Sequence, residues 1–325
     1  MKLRQRGAAL LAAMLTVTLV ATLAAGALWQ QWRSVEIESA DRQRVQAAWI
    51  LTGALDWARL ILREDSGSVD HLAEPWAVPL QEARLATFLA ADQSNNAMTE
   101  TSEEAQQVFL SGEITDLQSR LNVSRLVEAA VIQDKRLAAF ARQFDLLGLP
   151  QAQLARMAEN LRFASDIKTD NLNAAQAPLL PQRVEQLVWL GLAPETVAAL
   201  EPYVTVLPQA TKVNLNTAPA EVLYAVISKI SLADAQRLVA ERERQHFRQE
   251  DDIKPFLPEG AEYEKPLVSV GSSFFEMRGR LRIEDVVIEE RSIVQRTTGR
   301  EGREVRTLQR ERGGTRAFAT TEIKR

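Results

Sequence analysis

Cysteine is absent from the 325 residues, and histidine occurs only twice, at His71 and His246. The first absence removes thiolate metal sites, cysteine nucleophiles and disulfides. The second removes histidine-rich metal clusters. A strong charge of one sign is missing too. The chain has 39 Lys and Arg against 43 Asp and Glu, a net −4, with no whole-chain signature of nucleic-acid binding. The patterns G-x-x-x-x-G-K-[ST], H-E-x-x-H and G-x-S-x-G do not occur. Acidic neighbours such as Glu289-Glu290 fall in a strand pattern and should point to opposite faces, which does not suit paired acid–base work. Asp70 stands beside His71, but nothing positions a nucleophile near them. The expectation is a protein without catalytic residues. What is present is ample: 46% hydrophobic residues can form packed cores, and the length exceeds one typical domain.

The N-terminus is the most informative stretch. Lys2, Arg4 and Arg6 precede Gly7, and residues 8–32 carry no charge. Taken as a helix, Ala8–Trp29 spans roughly 33 Å, enough for a hydrocarbon core. Basic residues before this stretch, and none within it until Arg33, place its N-terminus in the cytoplasm and everything after Arg33 outside. Trp29 and Trp32 suit the far interfacial belt. A signal peptide cut near Ala24–Ala27 and a plain signal anchor are two readings. The third is a prepilin-type leader, cut between Gly7 and Ala8, so that the mature chain keeps its apolar helix. The downstream pattern favours the third. No proline occurs before Pro75, only Gly26 and Gly53 interrupt the run to Arg63, and Ile50, Ala54, Trp57 and Ile61 recur at helical spacing.

Glu64–Gly67 should end this helix, and Pro75 and Pro79 mark a loop. Val108–Leu110, a Ser111-Gly112 turn, and Leu117, Ser119, Leu121 and Val123 on alternate positions suggest a hairpin. From about Val127 to Pro258 the pattern is short helices with tight connections. A weak repeat relates Gly191–Leu200 to Lys229–Leu238, with Gly148-Leu149-Pro150 as a third corner. After Pro266 alternation returns in Phe274–Ile283, Val286-Val287-Ile288 breaks it like a bulge or strand crossing, and a turn at Thr298–Gly302 precedes a strand near Val305–Leu308. Residues 213–223, beginning Val213-Asn214-Leu215-Asn216-Thr217, look like the opening of a helix-hairpin-helix DNA-binding unit, with Thr217 capping and Glu221 in the first turn. The corner Ile227–Ser231 lacks the glycines that present amides to phosphate. Arg237, Arg242, Arg244 and Arg248, interleaved with acids, read as a solvated face.

Five pieces in order carry a resemblance: the leader ending in Gly7, VDHLAEPWAVPL at 69–80, GEITDLQSRLNVSRL at 112–126, VTVLPQATKVNLNTAPAEVL at 204–223 and SSFFEMRGRLRI at 272–283. The chain resembles the minor pseudopilin K family of the type II secretion system over nearly its whole length. The resemblance implies an α+β pilin-like fold, with a long N-terminal transmembrane helix and an antiparallel sheet, interrupted by a large helical insertion of SAM-like or helix-hairpin-helix-like kind. The segments would be a leader at 1–7, the transmembrane part at 8–32, the periplasmic helix and first part of the pilin-like domain at 33–126, the insertion at 127–265 and the C-terminal β part at 266–325. It further implies a place at the pseudopilus tip, in the inner membrane before assembly. The implied partners are the I- and J-type minor pseudopilins, the H type as a further candidate, the major pseudopilin and a prepilin peptidase that cleaves and methylates at Ala8. Nucleic acid is not among them. The rival reading is a membrane-anchored helix-hairpin-helix protein for DNA binding or uptake.

Two departures matter. Most pilin-like proteins carry Glu at the fifth mature position, and this chain has Ala12. A carboxylate in the bilayer costs roughly 2.5 kcal/mol or more unless paired. A tip subunit has no subunit ahead whose N-terminal amine could pair with it. Family members also often bind calcium. Here the corresponding stretch offers Asp166 and Asp170 with Asn171 and Asn173, short of the six to eight oxygens calcium takes, so a helix-capping loop is the expectation and no cofactor is required.

Overall fold

The computed structural model describes residues 5–85, 87, 108–166, 176–283, 286–299 and 302–313. The chain divides into residues 1–53 and a compact unit from Ala54 onward. In the first, everything described belongs to helix α1 (Gln5–Glu64). It is the one helix among the described residues that is long and apolar enough to cross a membrane, with mean hydropathy 2.1 over its most apolar window. Its polar hydroxyls are satisfied internally. Thr16, Thr18 and Thr22 donate to the carbonyls of Ala13, Leu15 and Leu19 at 2.8–3.0 Å, leaving an apolar exterior. The Arg33 guanidinium lies 5.8 Å from the Trp29 ring centroid, the pairing expected where an apolar run meets water.

The second unit opens with the last turns of α1. Leu55 and Leu62 are buried with Trp76, Phe275, Met277, Val294 and Val305 against one face of a five-stranded antiparallel sheet. Its strands are β1 (Leu80–Arg84), β2 (Val108–Asp116), β3 (Phe274–Ile283), β4 (Val286–Gly299) and β5 (Gly302–Gly313), adjacent in that order. Alternation in Phe274–Ile283 reads directly as β3, whose Met277 and Leu281 face Ile114 and Leu110 of β2. Between β2 and β3 the chain makes a long excursion through helices α2 (Asp134–Leu146), α3 (Gln151–Ser165), α4 (Pro194–Leu200), α5 (Ala220–Val226) and α6 (Leu232–Arg244). These pack around their own core, which includes Phe140, Phe144, Met157, Leu187, Leu215, Leu223 and Leu238.

The repeat seen in the sequence has a backbone counterpart. Gly148, Gly191 and Lys229 adopt left-handed φ of 65°, 91° and 60°. Each stands three residues before the first residue of a helix, at Gln151, Pro194 and Leu232. The left-handed residue turns the chain ahead of each helix start. Pro194 supplies its fixed φ at the first turn of α4. Ser231 and Asp234 form a reciprocal capping box on α6.

Three local expectations are corrected. Ser111-Gly112 is not a turn: β2 runs straight through it, and Gly112 lies opposite Gly279. A Cβ on Gly112 would come within 2.9 Å of the Arg278 carbonyl oxygen, so the glycine serves close strand approach. Leu117–Val123 is not the second arm of a hairpin. It holds two 3-10 turns, Leu117–Ser119 and Val123–Arg125, around a two-residue strand that pairs in parallel with Val204–Thr205. Asp116 and Asn122 side chains accept from Gln118 and Ser124 amides and bend the chain there. Val286–Ile288 opens β4 in regular register, and the irregularity falls later, between Ile293 and Val294.

Candidate functional site

The polar residues with the most connections meet where the excursion leaves and rejoins the sheet. Asp116, at the end of β2, is buried and accepts four hydrogen bonds. The donors are the Gln118 amide at 2.7 Å, Asn214 Nδ2 at 3.1 Å, and the hydroxyls of Thr217 and Ser272 at 2.6 Å each. Burial pushes its carboxyl up to about 6, against the pull of these donors. Asn214 Nδ2 also donates to the Asp70 carbonyl and Ser272 Oγ, while its Oδ1 takes the Asn216 amide. Asn216 in turn grips Phe247 through both backbone groups, at 2.8 and 2.9 Å.

A second knot adjoins the first. The carboxylates of Asp65, Asp70 and Glu74 converge to within 4.8 Å. Arg296 of β4 donates to Asp65 at 2.5 Å, to Asp70, and to the Ser272 carbonyl at 3.0 Å, and lies 4.8 Å from the Phe275 ring centroid. The other Asp70 oxygen takes the Ser272 amide at 2.7 Å, and Glu74 takes Trp76 Nε1 at 2.7 Å and the His71 amide at 2.9 Å. Burial raises the Glu74 carboxyl above its usual range, opposed by those two donors. The Asp70 oxygens and one Glu74 oxygen thus accept from the protein's own guanidinium, indole and backbone N–H groups.

These contacts reassign residues of the helix-hairpin-helix-like stretch. Thr217 does not cap a helix; Pro219 is the N-cap of α5, and the Thr217 hydroxyl reaches Asp116 instead. Arg242 does not belong to a solvated face: it is 9% exposed and donates to the Leu215 and Ala218 carbonyls at 2.8 and 2.5 Å. Burial lowers its guanidinium to about 10. Arg237 and Arg244 do face solvent, paired with Asp234 and Glu241. At the corner where a glycine would offer amides to phosphate, Lys229 sits with its ammonium 2.7 Å from Glu262, which puts an acid where an anion would approach.

An apolar cleft of about 270 Å³ opens beside α1. Ala54, Trp57 and Ile61 form one wall, Val78 and Pro79 another, and the side-chain-free pair Gly112 and Gly279 the floor. The helical spacing of 54, 57 and 61 therefore lines the cleft, while Leu55 and Leu62, one position on, enter the core.

Of the residues singled out from the sequence, Gly7 and Ala8 lie within α1 and their side chains are outside the described residues. Ala12 is exposed in the apolar part of α1. Asp166 is half-buried at the C-cap of α3, its amide donating to the Phe163 carbonyl. Asp170, Asn171 and Asn173 lie outside the described residues.

Two family profiles match the chain, both described as type II secretion system (T2SS), protein K: one over residues 119–209, the other over 213–267. Together they cover most of the excursion between β2 and β3. The chain is similar to the type II secretion system protein K family. It is 25% identical over 310 residues to the type II secretion system protein K of Pseudomonas aeruginosa, covering 88% of this chain and 87% of that one. The protein K of Pectobacterium carotovorum is 25% identical over 340 aligned positions, covering 97% and 99%. The fold is similar to a chain in the crystal structure of the GspK-GspI-GspJ complex from enterotoxigenic Escherichia coli. The TM-score is 0.58 at 18% identity, over 85% of this chain and 99% of that one. Family profiles, long helix and antiparallel sheet thus agree on a pseudopilin of the type II secretion system.

Proposed function

We propose that this chain is a minor pseudopilin that caps the tip of the secretion pseudopilus, with the I- and J-type minor pseudopilins beneath it. The observation that carries the reading is the pair of protein K matches over a large helical region attached to a chain with one membrane-length apolar helix. In this reading the leader is removed after Gly7 and the apolar part of α1 sits in the inner membrane, N-terminus inside. Small residues such as Ala12, Ala13 and Gly26 let neighbouring helices approach closely.

Capping follows from two features. Ala12 removes a carboxylate that would need an amine from a subunit ahead. The helices between β2 and β3, an insertion of residues 127–265 into a pilin-like fold, add bulk that would block another subunit above. The mechanism is nucleation and termination of a polymer, and it asks for no bond-breaking chemistry. Paired charge at the Lys229 corner speaks against the DNA-binding alternative.

Co-extraction tests the assignment. The full chain, solubilised from membranes that also hold the other pseudopilins, should co-purify with the I- and J-type proteins, and nuclease treatment should not change the yield. Recovery of the chain alone, or retention dependent on nucleic acid and weakened steeply by salt, would refute it.

A further inference from the structure

His71 and His246 stand 175 positions apart, and the fold stacks their rings with centroids 3.9 Å apart and planes 10° from parallel. His71 belongs to the loop after α1, next to the buried Asp70; His246 follows α6, next to Phe247, which Asn216 grips. The stack therefore ties that loop to the helical region. Its geometry does not suit chelation, because ring-nitrogen lone pairs lie in the ring planes, and in parallel rings they do not converge on one ion. The Ala73 amide donates to His71 Nδ1 at 3.3 Å, which keeps that nitrogen an acceptor and puts the neutral ring's hydrogen on Nε2.

Two neutral imidazoles stack well, and so does one neutral ring on one imidazolium. Two imidazoliums at this distance repel. The charged groups facing the pair do not cancel that repulsion. On the His71 side, Glu74 couples to the ring and its carboxylate is engaged by Trp76 and the His71 amide, while Asp70 is engaged by Arg296 and the Ser272 amide. On the other side Arg248 adds a further positive charge. Burial, then His71, then Arg248 hold the His246 imidazole below its ordinary range.

We infer that the His71–His246 stack is an acid-sensitive clasp between the loop after α1 and the end of α6, closed at neutral pH and opened when both rings are protonated, while the Asn214 bond to the Asp70 carbonyl still holds the base of the loop. The sign is that of a group whose folded pKa is depressed. The neutral ring favours the fold, so the clasp contributes fully above the unfolded histidine value of about 6.5, and that contribution falls away on acidification below it. This inference stands apart from the capping role, since it concerns one intramolecular contact.

Because the chain has two histidines, histidine-ring ¹³C labelling of the full-length protein in detergent micelles gives two NMR resonances to follow from pH 8 to 4.5. His246 should titrate below the ordinary range. In His71→Phe, which keeps an aromatic ring but removes the charge, its midpoint should rise by about 0.7 pH unit or more, the value for two unit charges about 4 Å apart in bulk water. The apparent Tm should drop more steeply between pH 7 and 5 in the wild type than in His71→Phe or His246→Phe. A His246 midpoint at or above the ordinary histidine value in the wild type, or one unmoved in His71→Phe, would overturn the inference. If His71→Phe fails to fold, His246→Phe carries the test through its Tm: a drop between pH 7 and 5 as steep as the wild type's overturns the clasp equally.

Discussion

Arg296 offers the sharpest test of how the two knots hold the second unit together. Its side chain is 6% exposed, and it neutralises Asp70, 2% exposed, and Asp65, 14% exposed. Replacing it with methionine keeps much of the stem but removes the cation. Asp70 then keeps the Ser272 amide as a donor and loses its countercharge; Asp65 loses its closest one, with Arg303 at 3.7 Å remaining. Breaking a buried pair by removing one partner costs about 3–5 kcal/mol, because the other charge is left uncompensated. The contact with Phe275 and the hydrogen bond to the Ser272 carbonyl are lost as well, so the upper part of that range applies. A whole domain is stable by roughly 5–15 kcal/mol, so Arg296→Met should unfold a large part of the population under mild denaturant. Arg296→Lys keeps a point charge but cannot bridge both carboxylates, and should lose about half as much. Asp70→Asn on the Arg296→Met background removes the stranded charge and should recover about 1–3 kcal/mol. Urea titration of the full chain in micelles, read by near-ultraviolet circular dichroism, gives these numbers. A loss below about 1 kcal/mol for Arg296→Met would refute the reasoning, since that is the scale of a surface pair.

Other expectations follow from the same contacts. Gly112→Ala places a Cβ 2.9 Å from the Arg278 carbonyl oxygen, a backbone atom, and should cost about 1–3 kcal/mol in the same titration. Ala129 and Ala130 hold φ of 51° and 59° at the tip of a short hairpin; Ala129→Asn with Ala130→Gly should gain roughly 1 kcal/mol or more in urea stability by relieving the left-handed strain. Burial holds the Asp116 carboxyl at about 6, above the ordinary 3.8 of an aspartate in the unfolded chain. Its contribution is fully present below the unfolded value and is lost as pH rises through about 6, roughly 3 kcal/mol over that window. Asp116→Asn should flatten that part of the pH–stability profile, and an unchanged slope between pH 4 and 7 would contradict it. The sign is opposite to that of His246, so the two variants separate the two groups. Mature protein from the native host should begin at Ala8 by N-terminal sequencing, a bulky residue at position 7 should block processing, and a start near Ala27 would contradict the leader reading.

How far the sequence could be read depended on whether the signal was local. The proline-free helical pattern ends where Glu64 ends α1, and alternating Phe274–Ile283 reads as β3, because periodicity and structure agree within each segment. The corners at Gly148, Gly191 and Lys229 were visible as a weak repeat, since left-handed residues and helix starts keep a fixed spacing. Gly112 was misread because its reason lies across the strand, at Arg278. Thr217 was misread as a cap because its partner, Asp116, is 101 positions away. Arg242 has the same helix neighbours as the exposed Arg237 and Arg244, and only the fold brings the Leu215 and Ala218 carbonyls to it. The two knots and the histidine stack share that character: each joins residues from distant segments, and no local pattern announces it.

The central claim is a position: this chain at the end of a filament. Gold-labelled antibody against the second unit, applied to pseudopili sheared from secreting cells, tests it directly. The account predicts label at one end of each filament and none along the shaft. Label distributed along the length would contradict capping, whatever the family.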